Sequence, residues 1–246
     1  MSPRPQRRSS TSDLKERIVT AAWEQIAREG AAALSLRAIA RSLKIAAPSI
    51  YNYFPDRDDL VTALIIEAFN SMADYLKDAI TSIPETNHAE RLRGLGLAYH
   101  QWAITYPERY QLIFGTPIAG YTAPAEITIP AAGRSLAILV EVLKSAYSAG
   151  KLRLRISVPA TNELASMLNE WQKMRAPDVD SEVLYLALSI WVHFHGMLSL
   201  EIGNLFPPFI HEPIEVYRRE LNIYVEQLSL LQNTFNPLRV DEIVPY

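Results

Sequence analysis

An all-α fold is predicted for this 246-residue chain by three observations. Apolar residues recur three and four positions apart along most of its length, which is helical periodicity. No stretch alternates apolar and polar residues for long enough to compete as a strand. Between Leu34 and Leu60 the run LSLRAIARSLKIAAPSIYNYFPDRDDL reads as two short helices joined by a three-residue break and closed by an aromatic cluster. The organisation expected is a basic tail at 1–12, a small three-helix unit at 13–57 and a larger helical domain at 58–246.

The first helix is placed over Leu14–Gly30. Ser35 then stands where an N-cap belongs, because its hydroxyl can accept from a backbone N–H two or three residues on. Leu36, Ile39, Ala40 and Leu43 give the next helix one buried face, so it runs from about Leu36 to Leu43. Lys44, Ile45 and Ala46 form the turn. Pro48 suits the first turn of another helix, since its missing N–H would have had no intrahelical partner there. That helix is about seven residues long from Ala47, with Ile50 and Phe54 pointing inward. Ala47, Pro48, Ser49, Tyr51, Asn52 and Tyr53 are left to face out or sit at the boundary. Small, hydroxyl, amide and phenol groups make a poor core, whereas in a major groove they can reach base edges and phosphates.

Downstream, Leu60, Leu64, Ala68, Met72 and Leu76 share one face of a helix from about Arg57 to Thr81. Asp56, Asp58 and Asp59 at its start complement the positive end of the helix dipole rather than forming a metal site. Further helices are placed near His88–Thr105 and Pro107–Phe114. Gly115, Pro117, Gly120, Pro124 and Pro130 then predict an irregular segment. The remaining helices are expected near Ala131–Ala149, Ala160–Arg175, Ser181–Leu205 and Glu212–Gln232. The one through LYLALSIWVHFHGMLSLEI is apolar almost all round and should be buried between layers. In the last, Ile214, Tyr217, Leu221, Tyr224, Leu228 and Leu231 make a seam for a neighbouring helix, in another copy or in the same chain.

Charge is divided unevenly. Residues 1–57 carry ten Lys/Arg against five Asp/Glu, while residues 58–246 carry fourteen against twenty-two. A basic end on an acidic chain suits DNA contact confined to one face. The tail, with Arg4, Arg7 and Arg8 among Pro and Ser, should be disordered alone; reaching DNA and merely solubilising are both open. With no cysteine, disulfides and thiolate metal sites are absent. No apolar run approaches a membrane span without interruption by charge, His or Gly, so a cytoplasmic protein without membrane contact is expected.

Residues 14–60 resemble the N-terminal domain of the tetracycline-repressor family of bacterial transcriptional regulators. The resemblance is carried by the first helix, Ser35-Leu36-Arg37, Ile39-Ala40, Ile50-Tyr51, Phe54 and the basic Arg57. Two positions depart from the family pattern. Lys44 stands where Gly usually takes a left-handed conformation, at a cost of roughly 1 kcal/mol. Ala46 replaces a Ser or Thr, removing a side-chain cap typically worth about 1 kcal/mol. The resemblance implies phosphate contacts at Ser35, Tyr51 and Arg57, base-facing positions at Arg37, Ala47, Pro48, Ser49 and Asn52, and a groove-edge position at Tyr53. Arg37 is the best guanine reader, because its guanidinium can pair with O6 and N7 together.

FGTPIAGYTAP and Trp191, His195 and Gly196 resemble a subset of the family with a Trp-x-x-x-His-Gly signature. Family membership further implies a homodimer, with Trp191, His195, Leu198, Tyr217, Leu221, Tyr224 and Leu228 as interface candidates. It also implies a small apolar or amphipathic effector, for which His100, Trp102, Tyr106, Tyr110, Phe114, Met167, Trp171 and His193 are candidates, each more readily read as plain core. No cofactor or metal is expected: His193 and His195, two apart on a helix, point about 200° away from each other. No phosphate loop, nucleophile elbow or HExxH is present, so catalysis is not expected. The function implied is a DNA-binding repressor of a palindromic operator, released by its effector; the alternative is an architectural DNA-binding protein that needs none.

Overall fold

The computed structural model describes residues 8–152 and 160–229, with side chains from 13 to 152 and from 160 to 226. Among them ten α-helices follow one another without a strand: α1 (Arg8–Glu29), α2 (Leu36–Ser42), α3 (Ala47–Tyr51), α4 (Arg57–Thr81), α5 (His88–Thr105), α6 (Pro107–Phe114), α7 (Ala125–Ser148), α8 (Asn162–Arg175), α9 (Ser181–Ile202) and α10 (Pro213–Ser229). A 3₁₀ turn at Ala31–Ala33 separates α1 from α2. The all-α expectation is met.

Three helix boundaries lie three or more residues from those read in the sequence, each for a local reason. α1 starts at Arg8, inside the stretch expected as tail. No Gly or Pro lies between Arg8 and Glu29, and Ser and Thr are well placed near a helix start, so nothing stops the helix earlier. α7 starts at Ala125 and carries Pro130 within it. The Pro124 carbonyl accepts from the Thr128 N–H at 3.0 Å and the Thr128 hydroxyl at 2.9 Å, which forms the first turn ahead of the proline. α9 stops at Ile202 instead of Leu205 because Asn204 turns left-handed at φ 52°. The Leu205 N–H then reaches the Leu200 carbonyl at 2.8 Å and the Asn204 N–H the Glu201 carbonyl at 3.0 Å, satisfying carbonyls that a helix end leaves orphaned.

The chain packs as two compact units. One takes the chain up to Tyr75 together with Gln101–Ser135; the other takes Leu76–His100 and the chain from Leu136 onward. The division falls inside α4, α5 and α7 and not at residue 57, where the sequence reading put a domain boundary. Side chains explain why the first half of α4 belongs with α1 to α3. The Trp23 indole of α1 donates to Glu67 of α4 at 3.0 Å, and Arg109 of α6 pairs with the same carboxylate at 3.5 Å. The Arg109 guanidinium also lies over the rings of Trp23 and Tyr106, 5.0 and 4.9 Å from their centroids. Such desolvated cation–π contacts are worth about 2 kcal/mol.

In the second unit α5, α9 and α10 share a core containing Tyr99, Phe194, Leu198, Tyr217 and Leu221. Three of the expected interface residues, Leu198, Tyr217 and Leu221, are therefore internal, at 0, 1 and 2 % exposure. The seam on α10 closes its own unit because α5 offers a small residue opposite it. Tyr217 donates to the Gly96 carbonyl at 2.8 Å, and a Cβ at Gly96 would stand 2.6 Å from Leu221 Cδ1.

α9 departs from two expectations. It is long and apolar enough to cross a membrane by length and composition, although no such run was expected. A core helix passes the same test, and Val183, Leu184, Ala187, Ile190, Phe194 and Leu198 are buried in the unit. Nor is it buried all round: Val192 and Leu200 are 55 and 42 % exposed.

The close approach at Gly96 sets a first prediction. Gly96→Ala should lower stability despite alanine's better helix propensity, because overpacking costs about 1–3 kcal/mol against a gain of at most about 1. Urea denaturation of the two proteins measures the difference.

Candidate nucleic-acid interface

The interface begins with how α2 is started and stopped. The Ser35 hydroxyl accepts from the Ala38 N–H at 3.4 Å, the expected cap. Ser35 is itself held by Gln25, whose amide oxygen accepts from the Ser35 N–H at 3.2 Å while its NH₂ group donates to the Ala33 carbonyl at 3.2 Å and to Glu29 at 3.0 Å. Gln25 is only 4 % exposed. It was missed in the sequence, where a lone amide on the inward face of α1 was the available signal.

At the other end Lys44 adopts φ 55°, the left-handed conformation expected for a residue in the family's glycine position. The Ile45 N–H reaches the Ala40 carbonyl at 3.0 Å and the Lys44 N–H the Arg41 carbonyl at 3.1 Å, so the helix-ending geometry is complete despite the side chain. Ala46 makes no side-chain cap, and Pro48 lies in the first turn of α3, both as expected.

α3 is anchored from beneath and open above. Ile50 and Phe54 are 0 and 3 % exposed, whereas Tyr51 is 40 % exposed. Arg37, Pro48 and Asn52 are exposed; Ser35, Ala47, Ser49 and Tyr53 are half-buried. Leu43, expected on the buried face of α2, is half-buried at the helix end. Lys15, Arg41 and Lys44 add exposed cations to the same small unit, and Lys15 lies 5.9 Å from the Phe54 ring centroid.

Arg57 takes a different position from the one expected. Its Nε donates to the Leu34 carbonyl at 3.2 Å and its Nη2 to the carbonyls of Ala31 and Ala32 at 3.3 and 3.1 Å, while Nη1 lies 3.7 Å from Asp58. The guanidinium thus clamps the start of α4 to the turn that leads into Ser35. In this arrangement Nε and Nη2 donate to the protein's own backbone.

Two family models match the chain: that of bacterial regulatory proteins of the tetR family over residues 18–64, and that of the tetracyclin repressor-like C-terminal domain over residues 92–224. The chain belongs to the tetracycline-repressor family. A regulatory protein of known structure, SCO4313, is 36 % identical with a TM-score of 0.71, over 89 % of this chain and 98 % of that one. The HTH-type transcriptional regulators Rv1816 of Mycobacterium tuberculosis and Mb1846 of Mycobacterium bovis are each 28 % identical over 91 % of this chain and 95 % of theirs. The TetR-family regulator PfmR of Thermus thermophilus shares the fold at 16 % identity, with a TM-score of 0.57 over 87 % of this chain and 96 % of that one. The protein is a transcriptional regulator that binds DNA, in a family of regulators and not of enzymes.

The eight effector candidates are divided between the two units. Trp102, Tyr106, Tyr110 and Phe114 belong to the first unit, and His100, Met167, Trp171 and His193 to the second. Trp102 is fully buried and donates to Ser71 at 3.1 Å, and Tyr110 packs on Phe114 with ring centroids 5.2 Å apart. His100 is paired with Glu201 at 3.0 Å. His193 lies 3.4 Å from Glu220 and against the rings of Phe194 and Tyr224. Met167, 65 % exposed, stands in solvent on α8. Trp102 and Tyr110 are core residues while Tyr106, Phe114 and Trp171 are half-buried, and periodicity alone does not separate core from pocket.

Trp191, His195 and Tyr224 also have internal partners. Trp191 stacks on His195 with ring centroids 4.9 Å apart, and His195 Nδ1 is 2.9 Å from the Tyr99 hydroxyl. Partial burial holds the His195 imidazole below its ordinary value, which keeps it neutral at pH 7. Tyr224 is half-buried, and the side chain of Leu228 lies outside the described residues.

The Arg57 clamp gives a second prediction. Arg57→Ala should cost about 1–3 kcal/mol of folding stability through loss of its charged hydrogen bonds. Denaturation of the DNA-free protein tests it, since a side chain serving only as a phosphate contact would leave the unfolding midpoint unchanged.

Proposed function

We propose that this regulator is a cytoplasmic homodimeric repressor whose two α3 helices enter successive major grooves, about 34 Å apart, on a palindromic operator. The observation that carries the reading is the exposed polar face of Arg37, Pro48, Tyr51 and Asn52 above the buried pair Ile50 and Phe54. Arg37, Ala47, Pro48, Ser49 and Asn52 face bases, Ser35 and Tyr51 meet phosphates, and Tyr53 sits at the groove edge. Lys15, Arg41 and Lys44 supply the cationic contacts on either side. Arg57 serves indirectly, by fixing the turn before Ser35.

The dimer is formed through the solvent face of α9. Val192, Gly196 and Leu200 are exposed at spacings of four on this otherwise apolar helix, and two copies of such a face bury one another. A small apolar or amphipathic effector binds better to a conformer with different head spacing and so withdraws the DNA-competent population; DNA weakens effector binding by the same factor. α4, which begins at the Arg57 clamp and continues into the second unit, transmits the change.

Footprinting the purified protein on DNA flanking its own gene locates the operator, and loss of protection with an added metabolite identifies an effector. Arg37→Ala should lose roughly 1–3 kcal/mol on the operator and relax preference at one base position. Equal losses on operator and random DNA would refute its base-reading role. Val192→Arg should leave the fold intact, turn the dimer into a monomer in analytical ultracentrifugation and weaken operator binding at least about tenfold. A variant that remains dimeric rules out this face of α9.

A further inference from the structure

A cleft of about 150 Å³ opens in the second unit between the segment leading into α5, the last turns of α7 and Lys151–Leu152. Its floor is apolar and includes the buried side chains of Leu92, Leu143 and Leu152. Its polar groups are those of Thr86, Asn87, His88 and Lys151, and among the described residues no Asp or Glu lines it. Lys151 takes part in none of the ion pairs among the described residues. The His88 ring nitrogen lies 3.1 Å from the Ser145 hydroxyl. Burial, Arg91 and Lys151 together hold the His88 imidazole below its ordinary value, so at neutral pH it is an uncharged hydrogen-bonding group beside a free ammonium. Arg91, engaged with the carbonyls of Ile80 and Ile83 at 3.2 and 3.0 Å, adds positive potential behind it.

A greasy floor under a rim that holds cationic and neutral groups but no carboxylate selects a small amphipathic anion. A cavity of this size accommodates a molecule about as large as benzene. We propose that this cleft binds a short-chain aliphatic carboxylate, with its charged end at Lys151 and His88 and its tail on Leu92 and Leu143. None of the effector candidates read from the sequence lines it. The site stands whether or not its ligand alters DNA binding.

Thermal unfolding of the full chain with sodium hexanoate, hexanamide and sodium acetate, at constant ionic strength, tests the assignment. Hexanoate should raise the unfolding temperature with a saturable concentration dependence. Hexanamide keeps the tail without the charge and acetate the charge without the tail, so both should give much smaller shifts. Lys151→Gln, at an exposed position, should leave the ligand-free unfolding temperature unchanged and require about tenfold more hexanoate for the same shift. No shift with hexanoate, an equal shift with hexanamide, or an unchanged dependence in Lys151→Gln would each overturn the proposal. Operator binding in the absence of these compounds is a separate measurement, so failure here leaves the repressor reading as it stands.

Discussion

A helix of five residues has almost no stability of its own in water, because nucleating the first turn costs more than the few hydrogen bonds of so short a segment return. α3 exists because Ile50 and Phe54 are buried beneath it, together worth several kcal/mol of hydrophobic free energy. That dependence determines which of its residues are at liberty to meet DNA. Side chains on the buried side are committed to holding the helix down, and those on the other side, Tyr51 and Asn52 among them, contribute little to the fold. The division between structural and recognition residues on α3 is thus a consequence of its shortness.

Placement of α3 rests in turn on two polar side chains that bind backbone. Gln25 satisfies the Ser35 N–H and the Ala33 carbonyl, and Arg57 takes the carbonyls of Ala31, Ala32 and Leu34. The short 3₁₀ turn between α1 and α2 would otherwise leave the Ser35 N–H and the carbonyls of Ala32, Ala33 and Leu34 to water or unpaired. The turn between α2 and α3 has no such help. It closes through backbone bonds alone, with Lys44 in a conformation that costs a non-glycine residue about 1–2 kcal/mol.

Much of this was legible in the amino-acid order where local chemistry decides the outcome. The Ser35 cap, Pro48 in the first turn, the inward Ile50 and Phe54 and the bounds of α5 and α6 all follow from residue type and spacing. The left-handed Lys44 follows from the family resemblance. The rest depended on partners distant in sequence. Arg57 reads as a surface cation until the carbonyls more than twenty residues away are seen to need donors. The α10 stripe can be read as a dimer seam or a core face, and two-fold DNA reading favours the seam; Gly96 on α5 instead takes Tyr217 and Leu221 into the core. Helix ends at Arg8 and Ala125 were missed because turn-forming and helix-breaking residues were given more weight than the uninterrupted backbone around them.

The cluster of Trp23, Glu67, Tyr106 and Arg109 has an optical consequence. An indole that donates a hydrogen bond to a carboxylate while a guanidinium covers its face sits in a strong, directional local field. Its ultraviolet emission therefore responds to small displacements of α6 against α1, which makes this joint an intrinsic, label-free gauge of how the DNA-reading head is held.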